Sequence, residues 1–254
     1  MAGPPDRHAP PVAAGLDPGE APFPVLHLDN HLLVVSKPAG MLVQGDATGD
    51  ADLVTLAKAY LKRRFDKPGR VFVGLVHRLD RPTSGVVVLA RTSKAASRLS
   101  DQFRRRAVEK RYLAVVGGRL EGAGRRVDWL AAGGGGVAVA AESAPGAKRA
   151  ALAWRSLARD GGRTLVEVGL ETGRKHQIRV QLAALGAPIV GDIRYNGAAE
   201  PFADGRGIAL HAYRLAFEHP TRREPLAFTA PPPLAWAGWF DREVAAALAA
   251  GGAG

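Results

Sequence analysis

Asp80 is the residue in this chain best placed by its neighbours to do chemistry. It lies in Val76-His77-Arg78-Leu79-Asp80-Arg81-Pro82-Thr83-Ser84-Gly85, a carboxylate between Arg78 and Arg81. Pro82 biases Arg81 away from helical backbone, so Asp80 is expected in a loop. The flanking guanidinium charges favour an ionised carboxylate, which serves as base, acceptor or nucleophile and is a poor general acid. An acid in a basic loop suggests chemistry on an anionic polymer. The plainer reading is a loop carboxylate paired to Arg78 or Arg81.

A second constellation is Arg174, Lys175, His176 and Arg179. On a helix, His176 and Arg179 share a face, and Arg174 and Lys175 fall near its start, where free N–H groups attract phosphate. An ordinary solvated basic helix face would carry the same residues. His77, His176 and His211 lack metal-ligand spacing, so no zinc site is expected. Ser84 lacks a G-x-S-x-G elbow and suits a turn hydroxyl that bonds backbone. Tyr112 lies in a strand-like run, where a tyrosine is ordinarily core or rim.

Composition narrows the partner. The 254 residues carry 35 Lys and Arg against 24 Asp and Glu, a net charge of +11, which points to a polyanion and first to nucleic acid. There is no cysteine, which excludes disulfides and thiolate zinc sites and fits a reducing, cytoplasmic setting. No apolar run approaches the roughly 20 residues of a membrane span. Neither G-x-G-x-x-G nor a P-loop is present, so nicotinamide and ATP dependence are not suggested. No heptad or broad apolar stripe demands a dimer, and a monomer is expected.

The elements that must hold these residues follow from hydrophobic period and turn signals. Residues 1–24 are rich in Pro, Gly and Ala and read as a flexible tail; a single domain is expected from Val25 to Gly254. Strands are predicted at Leu32–Val35, Val86–Ala90, Lys110–Val116, Val166–Leu170 (half-exposed), Ala209–Phe217 and Leu226–Thr229. Helices are predicted from Leu53 to Phe65 with Asp52 as N-cap, from a Ser93 cap to Arg106, through Ile178, Leu182 and Leu185, and from Trp236 to Ala250. Gly117 to Gly146 reads as a loose hairpin or excursion. Strands in antiparallel-looking succession with few helices give an α+β fold with a mixed, largely antiparallel sheet core flanked by helices.

Together these segments resemble the RluA-type family of RNA pseudouridine synthases. His77 to Gly85 is similar to that family's catalytic loop, Asp29 to Gly40 to its N-terminal strand and Lys-Pro turn, and Lys110-Arg111-Tyr112 to its tyrosine motif. Leu170 to Arg179 matches its basic motif, with Pro188-Ile189-Val190-Gly191-Asp192 following and Leu210-His211-Ala212 in a late strand. Gln44 and Gln181 stand where many members carry His, and Asn196 where Gly is usual, departures that bear on RNA target rather than activity. Many relatives carry an N-terminal S4 domain, for which no room is expected before Val25.

The resemblance implies an isomerase that breaks the N1–C1′ bond of a uridine in rRNA or tRNA, turns the uracil and rejoins it through C5. Asp80 would begin the reaction, by attacking C1′ or by helping remove the 2′ proton. Arg179 would pair with Asp80. Tyr112 would stack on the uracil or transfer a proton. Arg78 would fill the vacated stack or hold phosphate, with Lys37, Arg81, Arg174 and His176 as further RNA contacts. Neither metal nor organic cofactor is implied. Two other classes share most of these features: an RNA-binding protein without catalysis, for which Asp80 would be superfluous, and a uridine glycosidase, which would release free uracil.

Overall fold

A computed structural model describes residues 21–133, 136–196, 202 and 205–252. One eleven-stranded sheet organises them. Its strands are β1 (Val25–Leu28), β2 (Leu32–Lys37), β3 (Gly74–Leu75), β4 (Ser84–Ala90), β5 (Glu109–Gly117), β6 (Ala123–Gly133), β7 (Gly136–Ala140), β8 (Lys148–Asp160), β9 (Arg163–Leu170), β10 (Leu210–Glu218) and β11 (Pro225–Thr229). The main order is β1-β2-β4-β10-β5-β9-β8-β6-β7, with β3 beside β4 and β11 beside β10. Only the β4–β10 pair is parallel among these strands; the α+β, largely antiparallel expectation is met.

The apolar run of β4 has a simple cause: both faces of the strand are covered, which removes any need for alternation. Leu33, Val35, Val87 and Leu89 pack in one core with Leu53, Ala57 and Leu61 of helix α1 (Leu53–Arg64). Leu32, Val34, Val86, Val88 and Ala90 pack in a second core with Ala95 and Leu99 of helix α2 (Ser93–Arg104). The β2–β4 register, with Leu33 opposite Leu89 and Val35 opposite Val87, keeps each set on its own face.

Asp52 caps α1 as expected, its Oδ1 accepting from Thr55 N at 3.1 Å. The α2 cap is Thr92 rather than Ser93, with Oγ1 accepting from Ala95 N at 3.2 Å. Arg106 adopts φ 59°, a left-handed residue that ends α2 and turns the chain into β5.

Other expectations are revised. Residues 117–146 are not loose: β6 and β7 form a hairpin in regular register from Trp129–Ala140 to Gly133–Gly136. The thirteen-residue β8, between them and β9, was not foreseen. β9 is not half-exposed, because Glu167 is buried, with Tyr213 Oη donating to it at 2.5 Å. The C-terminal segment divides into a 3₁₀ turn (Leu234–Trp236) and helix α4 (Asp241–Gly252). Residues 1–20 of the expected tail lie outside the described residues; from its last four, Phe23 is buried with its ring edge-on to Tyr60 at 6.3 Å.

Candidate active site

The Asp80 loop joins β3 to β4 and is fastened at its main chain. Thr83 N donates to Asp80 O at 3.0 Å, Gly40 N to Arg81 O at 2.9 Å and Ile208 N to Pro82 O at 3.2 Å. Lys37 Nζ donates to Arg81 O at 3.2 Å, and to Pro38 O and Met41 O at 2.9 Å each. Lys37 is completely buried, so the expected contact with RNA is corrected: three carbonyls use all three ammonium hydrogens inside the fold. Burial pulls the Lys37 amine down to about 7, with Arg81 adding to the effect and Asp80 opposing it.

Arg81 turns back into the protein. Its Nε donates to Gly40 O at 3.1 Å and its Nη2 to Asp50 Oδ2 at 2.5 Å, bracing the loop it belongs to. Arg78 is exposed and borders both cavities beside Asp80.

Where the loop becomes β4, the backbone of β10 passes unusually close. Gly85 has φ 123°, and a Cβ there would stand 2.3 Å from Ala212 O. No side chain fits, so the parallel pairing of Ser84 with His211 and Gly85 with Ala212 requires glycine. Ser84 Oγ lies 2.8 Å from His211 Nδ1, and His211 Nε2 lies 3.0 Å from Ala230 O. The carbonyl can only accept, so Nε2 carries the proton and Nδ1 accepts from the hydroxyl. Ser84 is therefore a buried strand residue bonded to a histidine, not a turn hydroxyl bonded to backbone.

Helix α3 (Gln177–Ala183) supplies the partner of Asp80. Residues Gln177 to Leu182 are all buried, so the basic segment is not a solvated helix face. Arg179 Nη1 donates to Asp80 Oδ2 at 3.4 Å, while Nε and Nη2 donate to Asp192 Oδ2 and Oδ1 at 2.6 and 2.8 Å. His176 is the left-handed residue before α3, with φ 55°, and its Nε2 stands 4.0 Å from Asp80 Oδ2. Tyr195 Oη accepts from Val137 N at 3.2 Å and lies 2.6 Å from His176 Nδ1. Where the phenol hydrogen goes to Nδ1, the neutral imidazole carries its proton on Nε2, facing Asp80. Burial draws the His176 imidazole below its ordinary value, Asp80 opposing.

Asp80 forms a wall between two cavities of about 700 and 720 Å³. Tyr112, His77, Phe103, Lys110 and Arg174 line the first; Gln44, Arg81, Asp192 and Ile193 line the second. Burial, and then the Asp80 charge, raises the Tyr112 phenol, which therefore stays protonated in the resting site. His77 stacks on Phe103 at 4.6 Å and accepts from Val88 N at 3.0 Å; burial and then Lys110 hold it down to about 3. Arg174 is exposed at the cavity wall, its Nε donating to Arg149 O at 3.1 Å. Among the described residues no group of three or more His, Asp and Glu could hold a metal ion.

The structure thus gathers Asp80, Tyr112, Arg179, His176, Arg78 and Arg174 around one opening and withdraws Lys37 into the core. Asp192 and Tyr195 were missed as supports. Asp192 closes the Pro188–Asp192 segment and Tyr195 follows three residues later, but nothing in a lone Asp thirteen residues after an Arg announces a fork.

A mixed sheet thus brings a carboxylate, a guanidinium and a buried tyrosine to one opening, and the RNA pseudouridylate synthase family matches the chain over residues 31–184. The chain belongs to the RNA pseudouridylate synthase family, in its RluA-type branch, and is an isomerase of that class. It is 40% identical over 238 residues to Ribosomal large subunit pseudouridine synthase D of Xanthomonas campestris pv. campestris, covering 85% of this chain and 68% of the relative. An uncharacterized RNA pseudouridine synthase of Chlorobaculum parvum is 36% identical over 252 residues, 88% of this chain and 75% of that one. Among solved structures, Human RNA Pseudouridylate Synthase Domain Containing 4 superposes with a TM-score of 0.69 at 25% identity, over 89% of this chain and 93% of that one.

Proposed function

We propose that this enzyme isomerises uridine to pseudouridine in large-subunit ribosomal RNA, acting as a cytoplasmic monomer, with Asp80 as the carboxylate that begins the reaction. The observation that carries the reading is the Asp80–Arg179 contact of 3.4 Å at the edge of a cavity lined by Tyr112. A carboxylate held by a guanidinium, itself fixed by Asp192, keeps its oxygens directed at whatever enters. A uridine turned out of its stack would lie with its uracil on Tyr112 and its sugar toward Asp80. Arg78, exposed at the mouth, would fill the vacated stack or hold phosphate.

The reaction is balanced within the nucleotide: the N1–C1′ bond breaks, the uracil rotates, C5 joins C1′, the C5 proton leaves and N1 gains one. Asp80 serves either opening step, attack on C1′ or removal of the 2′ proton. Water must be kept from C1′ while the base is detached, since hydrolysis there would release uracil. The relatives named for the ribosomal large subunit support that RNA as target.

The test is to incubate the protein with large-subunit rRNA and tRNA transcripts lacking pseudouridine, map modified sites and assay free uracil. Pseudouridine in the ribosomal transcript, no free uracil, and loss of both modification and turnover in Asp80→Ala with RNA binding retained are expected. Free uracil would make the protein a glycosidase. Binding without modification of any transcript would make it an RNA-binding protein.

A further inference from the structure

Among the described residues, Lys110 is a cation without an anion. It lines the Tyr112 cavity, half-buried, and its side chain makes no hydrogen bond or ion pair with the described residues. Its Nζ rests in space left by Gly173, where a Cβ would stand 3.7 Å away. The charged group it does feel is another cation, Arg106, and burial together with that repulsion draws the amine below its ordinary value. Arg106 lies on the same cavity, exposed, in the left-handed conformation that ends α2. Glu171, a carboxylate that feels the Arg106 charge, is already held by Arg125 through bonds of 2.6 and 2.7 Å.

Two crowded cations at a cavity rim are unfavourable in the free protein and favourable once an anion sits between them. Position suggests which anion. Lys110 and Tyr112 are two residues apart on β5, so they share a face of the strand. They are offset by about 7 Å, close to the distance from a nucleobase to its own phosphate. We propose that Lys110 and Arg106 clamp one RNA phosphate, that of the nucleotide whose base lies on Tyr112. The proposal rests on the reading of Tyr112 as the uracil platform. It gives β5 two tasks on one nucleotide, base at Tyr112 and backbone at Lys110.

The test is a salt titration of binding to a large-subunit rRNA transcript, in an Asp80→Ala background so that no turnover intervenes. Each phosphate neutralised contributes about 0.7 to 0.9 to the slope of log affinity against log salt. Lys110→Gln with Arg106→Gln is expected to flatten the slope by about that single increment, and Lys110→Arg to keep it. With Asp80 intact, the single-turnover rate of Lys110→Gln at saturating RNA is read alongside the slope. Removing an unpaired cation should not lower the melting temperature, and Arg106→Gln, altered on the exposed rim, tests the slope even if Lys110→Gln does not fold. An unchanged slope overturns the clamp. A fall in the saturated rate at unchanged slope also overturns it and puts Lys110 on a uracil carbonyl instead. Wild type inactive on this transcript with a changed slope would remove the proposed function and leave the clamp. Wild type active with an unchanged slope would remove the clamp alone.

Discussion

Arg179 gives Asp192 two hydrogen bonds, at 2.6 and 2.8 Å, and Asp80 only one, at 3.4 Å. The division is unequal in a useful way. Asp192, almost wholly buried, fixes the plane of the guanidinium, and Asp80 receives the remaining nitrogen without surrendering both oxygens. Replacing Asp192 by Asn would take the closer of two counter-charges from a buried guanidinium, costing about 3–5 kcal/mol. The misplaced Arg179 should lower the single-turnover rate by about 10²-fold. Urea melts and rates on the same preparation check both, and a wild-type rate would remove Asp192 from the site. Arg179→Lys should not rescue, because a single ammonium cannot form the fork.

Asp80→Asn keeps the shape of the side chain and removes its charge. Modification of the rRNA transcript should fall on the order of 10⁴-fold, with affinity for the RNA unchanged or improved. Wild-type turnover in this variant would end the assignment of Asp80.

Gly85→Ala should not fold. The added Cβ would meet Ala212 O at 2.3 Å at a φ of 123°, so the parallel β4–β10 contact must open. A soluble variant with native circular dichroism and unaltered melting would contradict the close approach.

Lys37→Met would strand three carbonyls inside the fold, those of Pro38, Met41 and Arg81. A loss of about 2–4 kcal/mol is expected, with a slower rate because the Arg81 carbonyl borders Asp80. If Lys37 instead touched RNA, the variant would keep its stability and lose affinity; equilibrium unfolding separates the two.

Burial holds His211 down to about 4, below its ordinary 6.5, the Ala230 carbonyl opposing. The sign follows: between these values the unfolded chain binds a proton that the folded one refuses, so stability is complete above about 6.5 and declines as pH falls toward 4. The limiting slope is about 1.4 kcal/mol per pH unit. His211→Asn should flatten the decline in urea melts between pH 7 and pH 4.5, whereas an unaltered slope would mean that the imidazole is charged in the fold.

The fold class and the cast of the site were legible because their signals are local. The apolar run Val86–Ala90 could only be a covered strand, and Asp52 announced its helix by cap chemistry. Motif resemblance brought Asp80, Tyr112 and Arg179 together before any geometry did. What stayed hidden depended on long-range placement. Lys37 reads as a surface cation until three carbonyls from two segments, its own turn and the Asp80 loop, close around it. Glu167 alternates with Val166 and Val168 as an exposed residue should, yet Tyr213, forty-six residues later, covers it. The hairpin of β6 and β7 was masked by its Gly and Ala content, since small residues carry little period-two contrast even where backbone pairing is regular.

The parallel seam between β4 and β10 also sets the order in which the enzyme comes into being. Ser84 and His211, bonded across it, are 127 residues apart in the chain. The loop with Asp80 leaves the ribosome before Arg179, Asp192 and the strand that seats Gly85. Contacts of such sequence separation form slowly and only once both ends are present. A chain lacking β10 therefore has the acid but not the site, and activity waits until β10 has joined the sheet.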